Sequence, residues 1–169
     1  ILDLEPGELP DFTTLCARYQ ELKMAVWRAL LRHSAELVKP GSVHAIDATG
    51  FDRQGASRHY ANRTNYRFKA VKTTALVDCE NSLILDIHCS MRQPHDTQIG
   101  PQVLERNSEQ VEILIADKGY DSDEFREFLR SKDVRPVIKH REFSSLDKAH
   151  NARLDDDIYG QRAVVESIF

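Results

Sequence analysis

Three acidic residues carry most of the chemistry that this sequence offers. Asp47 lies in a β-rich apolar stretch, and Asp117 closes a short, almost wholly apolar strand. Glu166 follows Tyr159 and Arg162 at a spacing that puts all three on one face of a helix. An acid in an apolar strand is costly to bury unless it is paired or binds a cation. Carboxylate oxygens suit Mg²⁺ or Mn²⁺, so the three acids are candidate ligands for divalent cations.

Each acid also has an ordinary structural explanation. Asp47 is compatible with a turn or a helix cap, and Asp117 with a strand-end acid that pairs with Lys118. Glu166 can form an exposed ion pair with Arg162, which is worth only about 0.3–0.5 kcal/mol. The position of Asp117 favours function most clearly, because ligands of α/β sheets bind beside the carboxyl ends of central strands.

Hydrophobic periodicity predicts the elements that must position these residues. Residues 1–11 read as a linker, 11–38 as a helix that packs on the body of the protein, and Pro40-Gly41 as its end. We expect strands at 43–51, 68–77, 83–89, 111–116 and 134–138, and helices at 97–106 and 122–132. The helix at 122–132 has three candidate caps, Ser122, Asp121 and Asp123. Residues 139–156 are charged and irregular, and Asp156 or Asp157 can cap a final helix. The order predicts a mixed α/β sheet covered by helices.

Composition describes a folded chain with an uneven charge distribution. Of the 169 residues 41% are hydrophobic, and the net charge is −4. No apolar run approaches the roughly 20 residues of a membrane helix. From 53 to 72, however, there are six basic residues and no acid: Arg53, Arg58, Arg63, Arg67, Lys69 and Lys72. Such a basic window, interleaved with Tyr60, Tyr66 and Phe68, predicts contact with a nucleic-acid backbone.

The cysteines indicate a reducing compartment. The three, Cys16, Cys79 and Cys89, are odd in number and form no CxxC pair. Cys79, His88 and Cys89 match no zinc-binding spacing and are interpreted as strand residues. We therefore expect a cytoplasmic, nucleoid-associated protein. The start at Ile1 and the end at Phe169 lead us to expect a chain that lacks both ends of a longer protein.

The three acidic motifs together resemble a known family. Asp47-Ala-Thr-Gly-Phe, Ala-Asp117-Lys-Gly-Tyr and Tyr159-x2-Arg162-x3-Glu166 are similar to the acidic motifs of insertion-sequence DDE transposases of the insertion sequence four and five groups. The likeness covers roughly residues 40–169. It implies an RNase H-like five-stranded sheet flanked by helices, with an N-terminal helix before it. The boundaries would be 1–40 for the linker and helical segment and 41–169 for a catalytic domain that is incomplete at its C-terminus.

The resemblance also implies a mechanism and partners. Asp47, Asp117 and Glu166 would hold two Mg²⁺ or Mn²⁺ ions that promote cleavage and strand transfer at transposon ends. Double-stranded DNA would be the partner, bound by a homodimer. The residues expected to contact DNA are Arg53, Arg58, Arg63, Arg67, Lys69, Lys118, Tyr159 and Arg162. Two alternatives remain open: a non-catalytic transposase remnant that only binds DNA, and another RNase H-like nuclease that cuts without joining.

Overall fold

The computed structural model describes residues 10–51 and 70–169. Their helices are α1 (Phe12–Glu21), α2 (Met24–Ala35), α3 (Asp96–Glu105), α4 (Asp123–Ser131), α5 (Ser145–Asn151), α6 (Asp156–Gly160) and α7 (Ala163–Ile168). The strands are β1 (Val43–Phe51), β2 (Val71–Asp78), β3 (Leu83–Ser90), β4 (Ile113–Ala116) and β5 (Arg135–Ile138). Single 3-10 turns lie at Ser108–Gln110 and Lys118–Tyr120.

The five strands form one mixed sheet in the order β3-β2-β1-β4-β5. β2 runs antiparallel to both β1 and β3, whereas β1, β4 and β5 are parallel to one another. The predicted mixed five-stranded sheet flanked by helices, with a helical segment before it, is confirmed. β4 is short and apolar because it lies between two neighbours and is covered on both faces.

Two hydrophobic clusters cover the two faces of the sheet. Successive side chains of a strand point to opposite faces, so Ile46 enters one cluster and Ala45 the other. α3 and α4 supply the first cluster with Leu104, Phe125 and other apolar residues. The helices near the C-terminus cover the second face, where Val165 is fully buried. α7 is therefore held against β1 and β2, on the side of the sheet that faces away from α3.

The predicted helix at 11–38 is two helices, of which α2 packs on the sheet as expected for this segment. Leu22 has an extended backbone that ends α1, and the ring of Tyr19 then packs 4.5 Å from that of Trp27 between centroids. Neither α1 nor α2 contains a buried residue. α2 lies along β3, where Arg28 donates to the carbonyl of Ile87 at 3.0 Å. In the described parts of the chain, no helix has the length and apolarity needed to cross a membrane.

The region before Glu166 is more ordered than its composition predicted. Residues 139–156 contain α5, which begins at a capping box between Ser144 and Asp147. The final helix is capped by Asp155 rather than by Asp156 or Asp157, and it divides into α6 and α7. Polar residues close to one another along the chain can satisfy each other's backbone groups, which allows a short helix in a segment without an apolar stripe.

Candidate active site

Asp47 and Asp117 lie side by side because β1 and β4 are parallel neighbours. Ile46 pairs with Ala116, and each acid is the next residue on its strand. Adjacent strands are about 4.8 Å apart, so the two backbones bring both acids to the same place at the edge of the sheet. The Asp47 side chain is 22% exposed. Its Oδ1 accepts a hydrogen bond from the N–H of Ala48 at 2.8 Å.

The turn that follows β4 holds the carboxylate of Asp117. Asp117 begins the 3-10 turn Lys118–Tyr120, and its Oδ1 accepts from the N–H of Gly119 at 2.8 Å. A Cβ atom on Gly119 would lie 2.8 Å from that same oxygen. A side chain at this position would therefore displace the carboxylate of Asp117.

Glu166 is brought toward the site through Arg162. Nη2 of Arg162 lies 2.6 Å from Oε1 of Glu166, and its Nη1 lies 3.7 Å from Oδ2 of Asp47. Arg162 is the N-terminal flanking residue of α7, and burial of Val165 fixes that helix against the sheet. The guanidinium thus bridges two of the three acids. Its centre is also 6.0 Å from the ring of Tyr159, so the Tyr-x2-Arg-x3-Glu residues are in mutual reach although α6 ends between them.

The electrostatics of Asp47 show that its charge is poorly compensated. Burial raises the pKa of Asp47 above its ordinary value, and the charges of Asp117 and Glu166 raise it further. The Ala48 N–H and the Arg162 guanidinium lower the pKa only in part. Desolvation and like charges both favour the protonated form of a carboxyl group. An additional cation beside Asp47 would offset both the burial of its charge and the repulsion from the other two acids.

The chemistry of the acids at the site suits a divalent cation. Three carboxylates, one of them destabilised by its two neighbours, are the oxygen donors that Mg²⁺ and Mn²⁺ prefer. Within residues 10–51 and 70–169, no group of three or more His, Cys, Asp or Glu side chains is already gathered closely enough to hold a metal. The donor chemistry fits, and Arg162 supplies the positive charge between Asp47 and Glu166 in this conformation.

The predicted DNA-contacting residues divide into two groups. Lys118 lies next to Asp117, but its Nζ is paired with Glu142 at 2.9 Å. Tyr159 and Arg162 are beside the acids, and Lys139 lies 4.3 Å from the centre of the Tyr159 ring. The remaining predicted contacts lie outside the described residues: Arg53, Arg58, Arg63, Arg67 and Lys69. Phe68, Tyr60 and Tyr66 lie outside them as well.

Two residues near the site were not predicted from spacing. Asp96 begins α3, far from Asp117 in sequence, yet one of its oxygens approaches the same glycine. Arg141 donates from Nε to the carbonyl of Lys118 at 3.0 Å and so binds the turn after Asp117 to the segment after β5. The position of Asp96 at the start of a helix was its only signal in the sequence.

Asp121 does not cap α4, contrary to the sequence-based expectation. Its Oδ1 pairs with Nη2 of Arg126 at 2.7 Å, and its Oδ2 accepts from the N–H of Arg141 at 2.7 Å. Burial alone would raise the pKa of Asp121, but these donors hold it below its ordinary value. Ser122 caps α4, as predicted, through a bond from the N–H of Phe125. Asp121 is thus a structural acid although it stands only four residues after Asp117.

Solved structures with a similar chain course come from DNA transposases and retroviral integrases. A piggyBac transposase synaptic complex with hairpin DNA has 13% identity and a TM-score of 0.41, over 69% of this chain and 27% of that one. A simian T-cell lymphotropic virus intasome in complex with PP2A regulatory subunit B56 gamma has 16% identity and a TM-score of 0.43, over 75% of this chain and 48% of that one. The catalytic core domain of BIV integrase has 10% identity and a TM-score of 0.42, over 76% of this chain and 74% of that one.

These values describe a distant likeness. The chain spans about a quarter and about half of the first two of those chains. No curated protein sequence matches it. The transposase DDE domain family, by contrast, matches residues 39–169, which include all of β1 to β5 and the three acids. This chain belongs to the transposase DDE domain family.

Proposed function

We propose that the chain is the catalytic domain of an insertion-sequence DDE transposase, of the insertion sequence four and five groups. Asp47, Asp117 and Glu166 would bind two Mg²⁺ or Mn²⁺ ions, and the domain would cut and join double-stranded DNA at transposon ends. One observation carries the proposal. Asp47 and Asp117 directly follow the paired residues Ile46 and Ala116 on adjacent parallel strands.

The remaining geometry supports metal-dependent rather than metal-free chemistry. Bound divalent ions make a water or 3′-hydroxyl nucleophile more acidic and relieve charge on the leaving oxygen. The Gly119 N–H holds Oδ1 of Asp117, and burial together with the charges of Asp117 and Glu166 raises the pKa of Asp47. Bound cations would offset this unfavourable concentration of negative charge. Asp47 would contribute to both ions, because the charges of both Asp117 and Glu166 act on its carboxylate.

Arg162 would change partners when DNA binds. Its guanidinium now contacts Asp47 and Glu166. Cations bound to those carboxylates would repel it, and a DNA phosphate is the acceptor that a guanidinium fork binds best. Tyr159, in contact with Lys139, would keep the start of this segment against the sheet. Lys118 and the predicted DNA contacts between residues 53 and 69 would bind further phosphates of the backbone.

The experiment uses the protein with DNA that carries the sequences flanking its gene. We expect strand cleavage and joining only when Mg²⁺ or Mn²⁺ is present, and loss of both in Asp117→Asn. Asp123→Asn is a matched control, because Asp123 lies in the first turn of α4 rather than at the site. Asp117→Asn activity equal to wild type would refute the proposal.

The described geometry also gives weight to a DNA-binding remnant without catalysis. Arg162 lies between Asp47 and Glu166, where it compensates two ligands of the proposed ions. Such a remnant would bind DNA with equal affinity in the presence of EDTA and Mg²⁺ and would cut none of it. Cleavage without joining would instead indicate another RNase H-like nuclease. We also propose that the active form is a homodimer that acts on nucleoid DNA in the cytoplasm.

A further inference from the structure

A fourth carboxylate, that of Asp96, approaches the proposed ion site from a different element. A Cβ built on Gly119 would be 2.8 Å from Oδ1 of Asp117 and 3.2 Å from Oδ2 of Asp96. Both oxygens therefore converge on one point of the turn after β4. Asp96 is the first residue of α3, so this helix and β4 deliver two acids to the same glycine.

The charge of Asp96 is held by Lys72. Nζ of Lys72 lies 2.8 Å from Oδ1 of Asp96 and also donates to the carbonyl of Pro94 at 2.7 Å. The contact with Asp96 is an ion pair rather than a well-directed hydrogen bond. The side chains are 19% and 25% exposed, so solvent screens the pair incompletely. Lys72 stands opposite Gly50 on β1, at the same end of the sheet as Asp47.

The hydroxyl of Tyr120 lies in the same neighbourhood. Tyr120 is fully buried, and its hydroxyl makes no hydrogen bond of good geometry among the described residues, although Thr74 is close enough to lower its pKa. Burial is the main reason that the pKa of this phenol is raised, and the charges of Asp96, Asp47 and Asp117 add to it. The phenol therefore lies within the electrostatic reach of Asp96, Asp47 and Asp117.

We propose that Asp96 is a positioning residue that sets the cation affinity of the site, and that Lys72 restrains this effect by pairing with it. Asp96 adds negative charge behind Asp117, and Lys72 offsets part of that charge. Groups outside the direct ligands commonly change metal affinity by about 10- to 100-fold. This inference rests on the proposed function, because it assumes that Asp117 binds the ion.

The two partners of the pair must act in opposite directions. Removing the acid in Asp96→Asn takes negative charge from the site, and we expect Mn²⁺ to bind about tenfold more weakly. Removing the base in Lys72→Met leaves the Asp96 carboxylate uncompensated, and we expect Mn²⁺ to bind about threefold more tightly. A pair that served only to hold α3 against β2 would lower the unfolding midpoint of both variants and would change affinity in neither.

The experiment is a calorimetric titration of the 169-residue chain with Mn²⁺, together with thermal unfolding of the same proteins in EDTA. Opposite shifts in affinity support the proposal. Equal affinities, or shifts in the same direction, overturn it. If Asp96→Asn does not fold, Lys72→Met decides alone, because unchanged or weaker Mn²⁺ binding by that variant contradicts the proposal.

Asp117→Asn separates this inference from the proposed function. Loss of Mn²⁺ binding in Asp117→Asn, with wild-type affinity in Asp96→Asn, would refute the role of Asp96 and leave the proposed ion site standing. A wild-type chain that binds no Mn²⁺ would refute both.

Discussion

Replacing Asp47 with Asn is expected to stabilise the metal-free chain at neutral pH. Asparagine keeps the size of the side chain and an oxygen that can accept the 2.8 Å bond from Ala48. It removes a charge that is 22% exposed and is repelled by Asp117 and Glu166. The compensating contact that is lost, with Arg162, is long at 3.7 Å, and Arg162 retains Glu166 at 2.6 Å. The wild-type charge therefore costs the fold more than it contributes.

The size and pH range of the effect follow from this balance. Removal of an unfavourable charge commonly stabilises a protein by about 0.5–2 kcal/mol. For a domain of this length about 1 kcal/mol raises the unfolding midpoint by about 2–4 °C. Because the folded-state pKa of Asp47 is raised, the cost is present above that pKa, where the carboxyl is ionised. As the pH falls through it toward the unfolded value of about 3.9, wild-type Asp47 takes up a proton and the difference disappears.

Thermal unfolding followed by circular dichroism measures the prediction, in EDTA and in Mn²⁺. In EDTA at pH 7 the variant should unfold at the higher temperature. Mn²⁺ at about 100 times its dissociation constant should add about 2.7 kcal/mol to the wild type and less to the variant, so the order reverses. A variant that is less stable than wild type in EDTA at pH 7, or gains as much from Mn²⁺, would refute the reasoning.

Three further outcomes test other parts of the structure. Gly119→Ala should weaken Mn²⁺ binding at least tenfold in calorimetry, since its methyl group would lie 2.8 Å from Oδ1 of Asp117; unchanged binding would contradict that geometry. Asp121→Asn should lower the free energy of unfolding in urea by about 2–3 kcal/mol at pH 7, because it leaves the buried Arg126 without its ion pair. Since the pKa of Asp121 is lowered, this loss is present above about pH 4 and fades as the pH falls through the folded pKa, and a constant difference down to pH 2 would exclude it. Cys79 should react with iodoacetamide at pH 8 far more slowly in the folded chain than in denaturant, because burial raises the pKa of its thiol to about 12; equal rates by mass spectrometry would show that it is accessible.

The sheet could be predicted because its strands are short apolar runs separated by clear turns. Val43–Phe51 and Leu83–Ser90 lie within a residue of their predicted limits. The proximity of Asp47 and Asp117 also follows from sequence reasoning once β1 and β4 are taken as parallel neighbours. The pairing register of these two strands is enough to bring Asp47 and Asp117 together, and no side-chain contact has to be predicted.

Contacts between distant residues could not be predicted in the same way. Lys72 and Asp96 are 24 positions apart, and only the packing of α3 on this face of the sheet makes them partners. The break after Glu21 has no glycine or proline to signal it, and the contact between the rings of Tyr19 and Trp27 that accompanies it is not visible in the sequence pattern. The charged residues between β5 and α6 include a short helix that Ser144 and Asp147 cap locally. Hydrophobic periodicity could not predict this helix, because periodicity detects only helices with an apolar face.

The measurement that tests the central claim most directly is anomalous diffraction at the manganese edge from crystals of the chain soaked in Mn²⁺. The account predicts manganese bound by both Asp47 and Asp117, with Glu166 within ligand distance and Arg162 moved away from Asp47. Absence of manganese at these carboxylates, with the Arg162 guanidinium still bridging Asp47 and Glu166, would contradict it.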